Sequence, residues 1–205
     1  MKDKKTAQQE NTIAFFDFDH TITWRDSFLD FLLYTIGIPR LILSSVILIP
    51  VICAYMIKII TNEKAKSIVL SFFFKGMTKE KFHALGDVYS SKKLPAIVME
   101  DALQRIRWHK KQGHRVVIIS ASLRCWLGGW CRTEKVELIC SEMETNKGIL
   151  TGRFNGKNCY GPEKLRRIKE QYDIKNAYIY AYGDSRGDRE MLEMADEKFF
   201  RHFER

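Results

Sequence analysis

Two short segments carry carboxylates at spacings that suit chemistry. In Phe15-Phe16-Asp17-Phe18-Asp19-His20-Thr21, Asp17 and Asp19 stand two apart, and in an extended chain residues i and i+2 point the same way. Carboxylates so close repel, so a shared site favours a bound cation or one retained proton. Gly183-Asp184-Ser185-Arg186-Gly187-Asp188 supplies two more. Three or four carboxylates in one cleft make an oxygen-rich site of the kind Mg²⁺ takes, with waters kept for exchange. Groups of the opposite character are present too. Ser120 offers a hydroxyl, followed by the backbone N–H of Ala121, and Lys164 opens a helix after Gly161-Pro162, where its ammonium could meet phosphate oxygens. Taken singly, each has a plain structural explanation: an acidic turn, a helix N-cap, a solvated lysine.

The positions of these residues relative to the apolar runs argue for one site. Runs at 12–18, 114–120 and 177–183 read as short buried strands, and each ends at one of the polar clusters. Helical patterns at 99–111 and 163–171 separate them, which is the alternation of a parallel α/β sheet. In such sheets ligands bind at the carboxyl ends of the strands. About 90 residues lie between the first two strands, far more than one crossover helix needs, so 24–94 is expected to be an inserted helical cap over the strand ends. The Asn/Gly chemistry within 142–155 predicts a small β-hairpin flap beside the same cleft. The core is then 12–23 plus 95–205, and the polar, charged 1–11 is expected to be a flexible tail without the apolar core of a secretory signal.

Composition narrows the class. The 205 residues are 45% hydrophobic and 12% aromatic, with 12 Gly and 4 Pro, which excludes disordered and collagen-like chains and leaves room for one domain with a modest insertion. Five cysteines without a C-x-x-C pair suggest neither a disulfide framework nor a zinc knuckle, and point to reduced thiols in a cytoplasmic protein. The net charge of +9 comes with no helix-turn-helix, zinc-finger or aromatic ribonucleoprotein signature, so no nucleic-acid partner is expected.

One stretch stands out. Residues 41–57 (LILSSVILIPVICAYMI) contain no charge, and the span 40–93 holds nine Lys+Arg against three Asp+Glu. Seventeen residues touch the lower limit of a membrane span, but a single crossing would place Asp17 and Asp184 on opposite sides of a bilayer. Two readings stay open: the apolar core of the cap, or a re-entrant or interfacial patch that the basic residues would hold at an anionic membrane face.

The order D-x-D-x-T, then an apolar strand ending in Ser, then Lys, then G-D-S-x-x-D resembles the haloacid dehalogenase (HAD) superfamily over about residues 12–195. The long insertion resembles the cap of its phosphoserine phosphatase-like branch, subfamily IB. The resemblance implies an α/β fold with a Rossmann-like doubly wound parallel sheet, and a Mg²⁺-dependent phosphomonoesterase working through an aspartyl-phosphate. It makes Asp17 the nucleophile, Asp19 the general acid and base, and Ser120, Ala121 and Lys164 the phosphate binders. Asp17, Asp19 (through its backbone carbonyl) and Asp184 would be metal ligands, with Asp188 supporting the metal or Lys164, and Thr21 fixing the first loop. Asp26 falls where phosphoserine phosphatases carry a substrate-binding Glu, His20 and Gly187 depart from common patterns, and no Arg occurs between 41 and 104 to clamp a carboxylate. Segment 39–58, broken at Pro50 and followed by Phe72 to Phe74, also resembles the cap of HAD-type phosphatidylglycerophosphatases. The expected substrate is thus a lipid phosphate near the membrane or, as the alternative, a soluble phosphorylated metabolite; the oligomeric state is not legible.

Overall fold

Strand β1 (Thr12–Phe16) reads TIAFF without alternation and is buried along its whole length, as a strand covered on both faces requires. The computed structural model describes residues 11–203, so all but the last residue of the expected 1–11 tail lies outside the described residues. After β1 come α1 (Ser27–Ile36), α2 (Ile38–Met56), α3 (Asn62–Phe74), α4 (Lys79–Lys92), a 3-10 turn at Leu94–Ile97 and α5 (Glu100–Lys111). The chain continues through β2 (Arg115–Leu123), α6 (Arg124–Glu134), β3 (Glu137–Ser141), the hairpin β4 (Met143–Asn146) and β5 (Ile149–Phe154), and α7 (Pro162–Gln171). It ends with β6 (Tyr178–Gly183), α8 (Arg189–Glu193) and β7 (Glu197–Phe200).

Five strands form one parallel sheet in the order β3-β2-β1-β6-β7. The chain winds from β1 outward to β3, then returns to the other side of β1, so the switch point falls between β1 and β6, where a doubly wound sheet opens its ligand crevice. Phe16 of β1 pairs with Ile118 of β2 and Tyr182 of β6, which brings the chain segments after all three strands together. Alternate residues serve opposite faces. Ala14, Phe16, Val116 and Ile118 pack with Ala102, Ile106, Trp126 and Trp130 from α5 and α6, while Ile13, Phe15, Val117 and Ile119 pack with Ile168, Met191 and Leu192 from α7 and α8.

The strands differ slightly from the sequence pattern, for local reasons. β1 stops at Phe16 rather than 18 because the Phe18 carbonyl accepts the N–H groups of Thr21, Ile22 and Thr23, turning the chain out of the sheet. β2 runs on to Leu123, with a register irregularity after Ser120.

The inserted helices share the sheet's core rather than forming a separate one. Phe31 of α1 stacks on Trp126 of α6 at 4.6 Å and meets Tyr89 of α4 edge-on at 5.4 Å. The hairpin is tied to the cap: Leu150 N–H donates to Met77 O (2.9 Å), Gly76 N–H to Leu150 O (3.0 Å), and Ser67 Oγ–H to Gly152 O (3.2 Å). Helix α2 is the exception. Of its residues only Ser44 and Leu48 are buried, and Leu43 and Met56 are 74% and 72% exposed, so the charge-free run is not the interior of the cap. Cys125, Cys131, Cys140 and Cys159 are buried free thiols, and Cys53 is exposed on α2.

A buried histidine makes the core pH-sensitive. His109 on α5 is fully buried, with Nε2 2.9 Å from the Tyr182 hydroxyl and Nδ1 2.8 Å from Nδ1 of His114. Burial pushes its pKa down to about 3, and the neighbouring His114 and Arg105 add to this. The unfolded chain takes that proton near 6.5 and the native chain refuses it until about 3. This contribution is therefore complete above 6.5 and is lost as pH falls, at up to about 1.4 kcal/mol per pH unit. Between pH 6.5 and 5, above most carboxylate titration, urea midpoints of the wild type should fall and those of His109→Gln should fall less steeply; parallel slopes would contradict this account.

Candidate active site

The geometry begins with Asp17, the first residue beyond β1. Its N–H still donates to Tyr182 O at 2.9 Å, as if the strand continued, which fixes the buried carboxylate at the mouth of the β1/β6 crevice. Lys164 reaches it from the first turn of α7. That helix is pinned by Glu163, which pairs with Arg167 at 2.8 Å, while Arg167 also donates to Cys140 O (2.7 Å) and Lys157 O (2.6 Å). The Lys164 ammonium donates to Asp17 Oδ1 and to Asp188 Oδ1, the latter at 2.6 Å, and all three side chains are almost wholly buried.

Asp188 is held from its other oxygen. Oδ2 accepts from Ser185 N–H (3.0 Å), Ser185 Oγ–H (2.9 Å) and Asp184 N–H (3.2 Å), which locks the loop after β6 and sets the Asp184 carboxylate. Gly183 permits this, since a Cβ there would lie 2.5 Å from Asp188 Cβ. Gly187 has a similar reason: its Cβ would meet the Tyr160 ring at 2.3 Å, so the departure at 187 makes room for an aromatic wall. Thr21 Oγ1 lies 3.3 Å from both Asp17 Oδ2 and Asp184 Oδ1 and gives its one proton to either, bridging the two loops.

One oxygen from each of Asp17, Asp184 and Asp188 falls within 4.8 Å of the others. The Asp19 carboxylate is not in this group. Its Oδ1 accepts from Ser27 N–H and its Oδ2 from Ser122 Oγ–H, both at 2.6 Å, which turns it toward the cap. A short relay fixes it there: the Trp126 indole N–H donates to Ser27 Oγ (3.1 Å), and Ser27 Oγ lies 3.1 Å from Ser122 Oγ. The Ser122 hydroxyl gives its one proton to Asp19 and the indole only donates, so the Ser27 hydroxyl donates to Ser122 and the order runs Trp126, Ser27, Ser122, Asp19.

The electrostatics match the chemistry of the donors. Burial, then the Asp188 charge, push the Asp17 pKa well above the usual carboxylate range, against the pull of Lys164. Asp184 is raised by burial and by Asp188 as well. Burial alone would raise Asp188, but the Lys164 ion pair and the Ser185 hydrogen bonds outweigh it and hold the group low. Lys164 stays firmly protonated beside the two carboxylates despite its burial. Three carboxylates thus face a single ammonium, and their all-oxygen set fits a hard divalent cation, whose charge would restore Asp17 to its ionised form.

These groups border a pocket of about 140 Å³ lined by Asp17, Asp19, His20, Asp26, Asn62, Lys66, Ala121, Tyr160, Lys164, Asp184, Ser185 and Asp188. Asp26 serves two ends, capping α1 through Leu29 N–H (3.0 Å) while facing the pocket; burial, then Asp19, raise its pKa against Lys66. His20 sits at φ +61°, a left-handed conformation that costs a residue with a Cβ free energy, and its ring borders the pocket. Ala121 lines the pocket wall. Ser120 does not: it is fully buried beneath the wall, and its hydroxyl accepts from Ser122 N–H at 3.0 Å.

Ser122, Ser27, Asn62, Lys66 and Tyr160 join the site without having been expected there from the sequence. Ser122 had a signal, standing two residues beyond Ser120 as Asp19 stands beyond Asp17. Asn62 and Lys66 share one face of α3 at an i, i+4 spacing, which is too common on a helix to be read alone. The cap closes here, with Asn158 N–H donating to Glu63 Oε2 at 3.0 Å.

Comparison with known proteins is consistent with this geometry. The family model for haloacid dehalogenase-like hydrolases matches residues 14–193. Protein CicA of Caulobacter vibrioides is 31% identical over 200 residues, spanning 95% of this chain and 87% of that protein. Among solved structures, a protein of unknown function from Bordetella pertussis Tohama I superposes with a TM-score of 0.79 at 22% identity, covering 92% of this chain and 88% of the other. A phosphoserine phosphohydrolase-like protein from Francisella tularensis gives 0.65 at 18% identity, covering 91% and 85%.

Proposed function

The chain belongs to the haloacid dehalogenase-like hydrolases, with a phosphoserine-phosphatase-like fold, and we propose that it is a phosphomonoesterase whose phosphoryl acceptor is Asp17. The observation that carries this is the buried ion-pair triad of Asp17, Lys164 and Asp188 bordering a pocket that also takes in a separately anchored carboxylate, Asp19.

An Asp17 oxygen attacks phosphorus, the ester P–O bond breaks, and the leaving alkoxide takes a proton from Asp19. The Asp17–phosphoryl bond is then cleaved by water, which gives its proton back to Asp19, releasing inorganic phosphate. The hydrogen bonds from Ser122 and Ser27 hold the Asp19 carboxylate apart from the Asp17–Lys164–Asp188 cluster, free to serve the leaving group. Lys164 neutralises oxygens around Asp17, and Ala121 lines the same pocket. Asp17, Asp184 and Asp188 would hold a divalent cation such as Mg²⁺, whose chemistry is to offset charge on the phosphoryl group and keep the nucleophile ionised. Treatment with EDTA should therefore remove activity by about 10²-fold or more, and added Mg²⁺ should restore it; turnover unchanged in EDTA would contradict the metal assignment.

For substrate, a small soluble phosphomonoester is favoured by the modest volume of the pocket and by the opposite charges of Asp26 and Lys66 on its cap side, which suit a polar leaving group. A lipid phosphate has one observation in its favour. A neighbouring hollow of about 540 Å³, lined in part by Tyr55, Met56, Ile59 and Ile60, shares Asn62 and Tyr160 with the catalytic pocket. Phosphate release from phosphoserine and a panel of soluble esters, set against phosphatidylglycerophosphate in mixed micelles, separates the two. Equal or better kcat/KM for a soluble ester supports the first reading, and a preference of about a hundredfold for the lipid, or about 2.7 kcal/mol of transition-state binding, replaces it with the second.

A further inference from the structure

Catalysis makes no use of the outer face of α2. Ile42, Leu43, Val46, Ile47, Ile49 and Met56 are each at least half exposed on it, and no charged residue stands between Arg40 and Lys58. Nineteen helical residues extend about 28 Å, so this is a continuous apolar surface larger than a solitary protein normally leaves in water.

Charge decides what covers it. From residue 31 to 62 there is no Asp or Glu, while Arg40 and Lys58 flank the apolar stretch; the Glu63 and Lys64 that follow offset each other. Two copies packed α2 to α2 would bring these cationic ends together, while the nearest acidic residues along the chain, Asp30 and Glu63, are already engaged by Arg25 and by the Asn158 N–H. An anionic lipid surface satisfies the apolar face and the cationic rim together. Topology sets the orientation. β1 precedes α2 and β6 follows it, yet the two pair directly in one sheet, so the helix lies along a surface and does not cross it once. At its C-terminal end the same face runs into the hollow that shares Asn62 and Tyr160 with the catalytic pocket.

We infer that α2 is an in-plane docking surface for an anionic bilayer, and that docking turns the mouth of the catalytic pocket toward the lipid interface. This goes beyond the catalytic reading and does not depend on it. The test is co-sedimentation of the full chain with vesicles of phosphatidylcholine containing about one-third phosphatidylglycerol, alongside vesicles of phosphatidylcholine alone. The wild type should bind the anionic vesicles. Val46→Glu/Ile49→Glu, which alters only exposed positions, should weaken partitioning at least tenfold while keeping the wild-type circular dichroism melt and turnover of a soluble ester. Arg40→Glu/Lys58→Glu, which leaves the apolar face intact, should lower binding to anionic vesicles to the level seen with phosphatidylcholine, and stands as the test if the first variant does not fold. Absence of wild-type binding, or binding unchanged in both variants, overturns the inference. So does a wild-type dimer in solution that Val46→Glu/Ile49→Glu converts to monomer without any vesicle binding, which would make the occupant a second copy.

Discussion

Asp17→Asn should leave a folded protein with phosphatase turnover reduced by at least about 10⁴-fold. The side chain keeps its shape: its amide oxygen can accept from Lys164 while its NH2 donates to Thr21 Oγ1, whose own proton then goes to Asp184, so the contacts at the β1/β6 crevice survive. What disappears is the nucleophilic carboxylate. Removing a negative charge that burial and Asp188 already push toward protonation relieves repulsion, so in metal-free buffer the variant should melt at or above the wild-type temperature. Loss of activity together with retained stability separates a chemical role from a structural one. Residual turnover above about one per cent, in protein free of contaminating phosphatase, would remove Asp17 from the reaction.

Lys164→Met should have the opposite stability signature with a comparable loss of activity. The ammonium is buried between Asp17 and Asp188, and its removal leaves two carboxylates to face each other without a counter-charge. Breaking a buried pair in this way costs about 3–5 kcal/mol, which in a chain of this size lowers the melting temperature by about 6–20 °C. The Lys164→Met/Asp188→Asn double variant, measured without metal, should recover part of that loss because one of the stranded charges is gone, while staying inactive. Equal melting temperatures for the single and double variants would show that the pair is not coupled in the manner the geometry requires.

The contrast between these variants follows from how much of the site the sequence could carry. Asp17, Asp19, Asp184, Asp188 and Lys164 are legible because each sits at a strand end or helix start, and the apolar runs that mark those ends are local. The parallel sheet and the inserted helices follow from the same runs and from the length between them. What could not be read depends on contacts distant in the chain. The Trp126–Ser27–Ser122–Asp19 relay joins α6, α1 and β2, and no local pattern announces it. Ser120 shows the limit of position alone: the irregularity that carries β2 on to Leu123 turns Ala121 onto the wall and leaves the Ser120 hydroxyl beneath it. For α2, composition was ambiguous because an apolar run looks the same whether it fills a core or faces outward. Only packing distinguishes the two, and packing leaves it outward.

The central claim is that phosphoryl groups pass through Asp17. The direct measurement is a millisecond acid quench of wild-type enzyme turning over a phosphomonoester labelled on phosphorus, followed by peptide mapping of the quenched chain. Acid-stable, alkali-labile label is expected on the peptide containing Asp17, formed at a rate that supports turnover and absent from Asp17→Asn. Steady release of phosphate with no label on the protein, or label on a different residue, would contradict it.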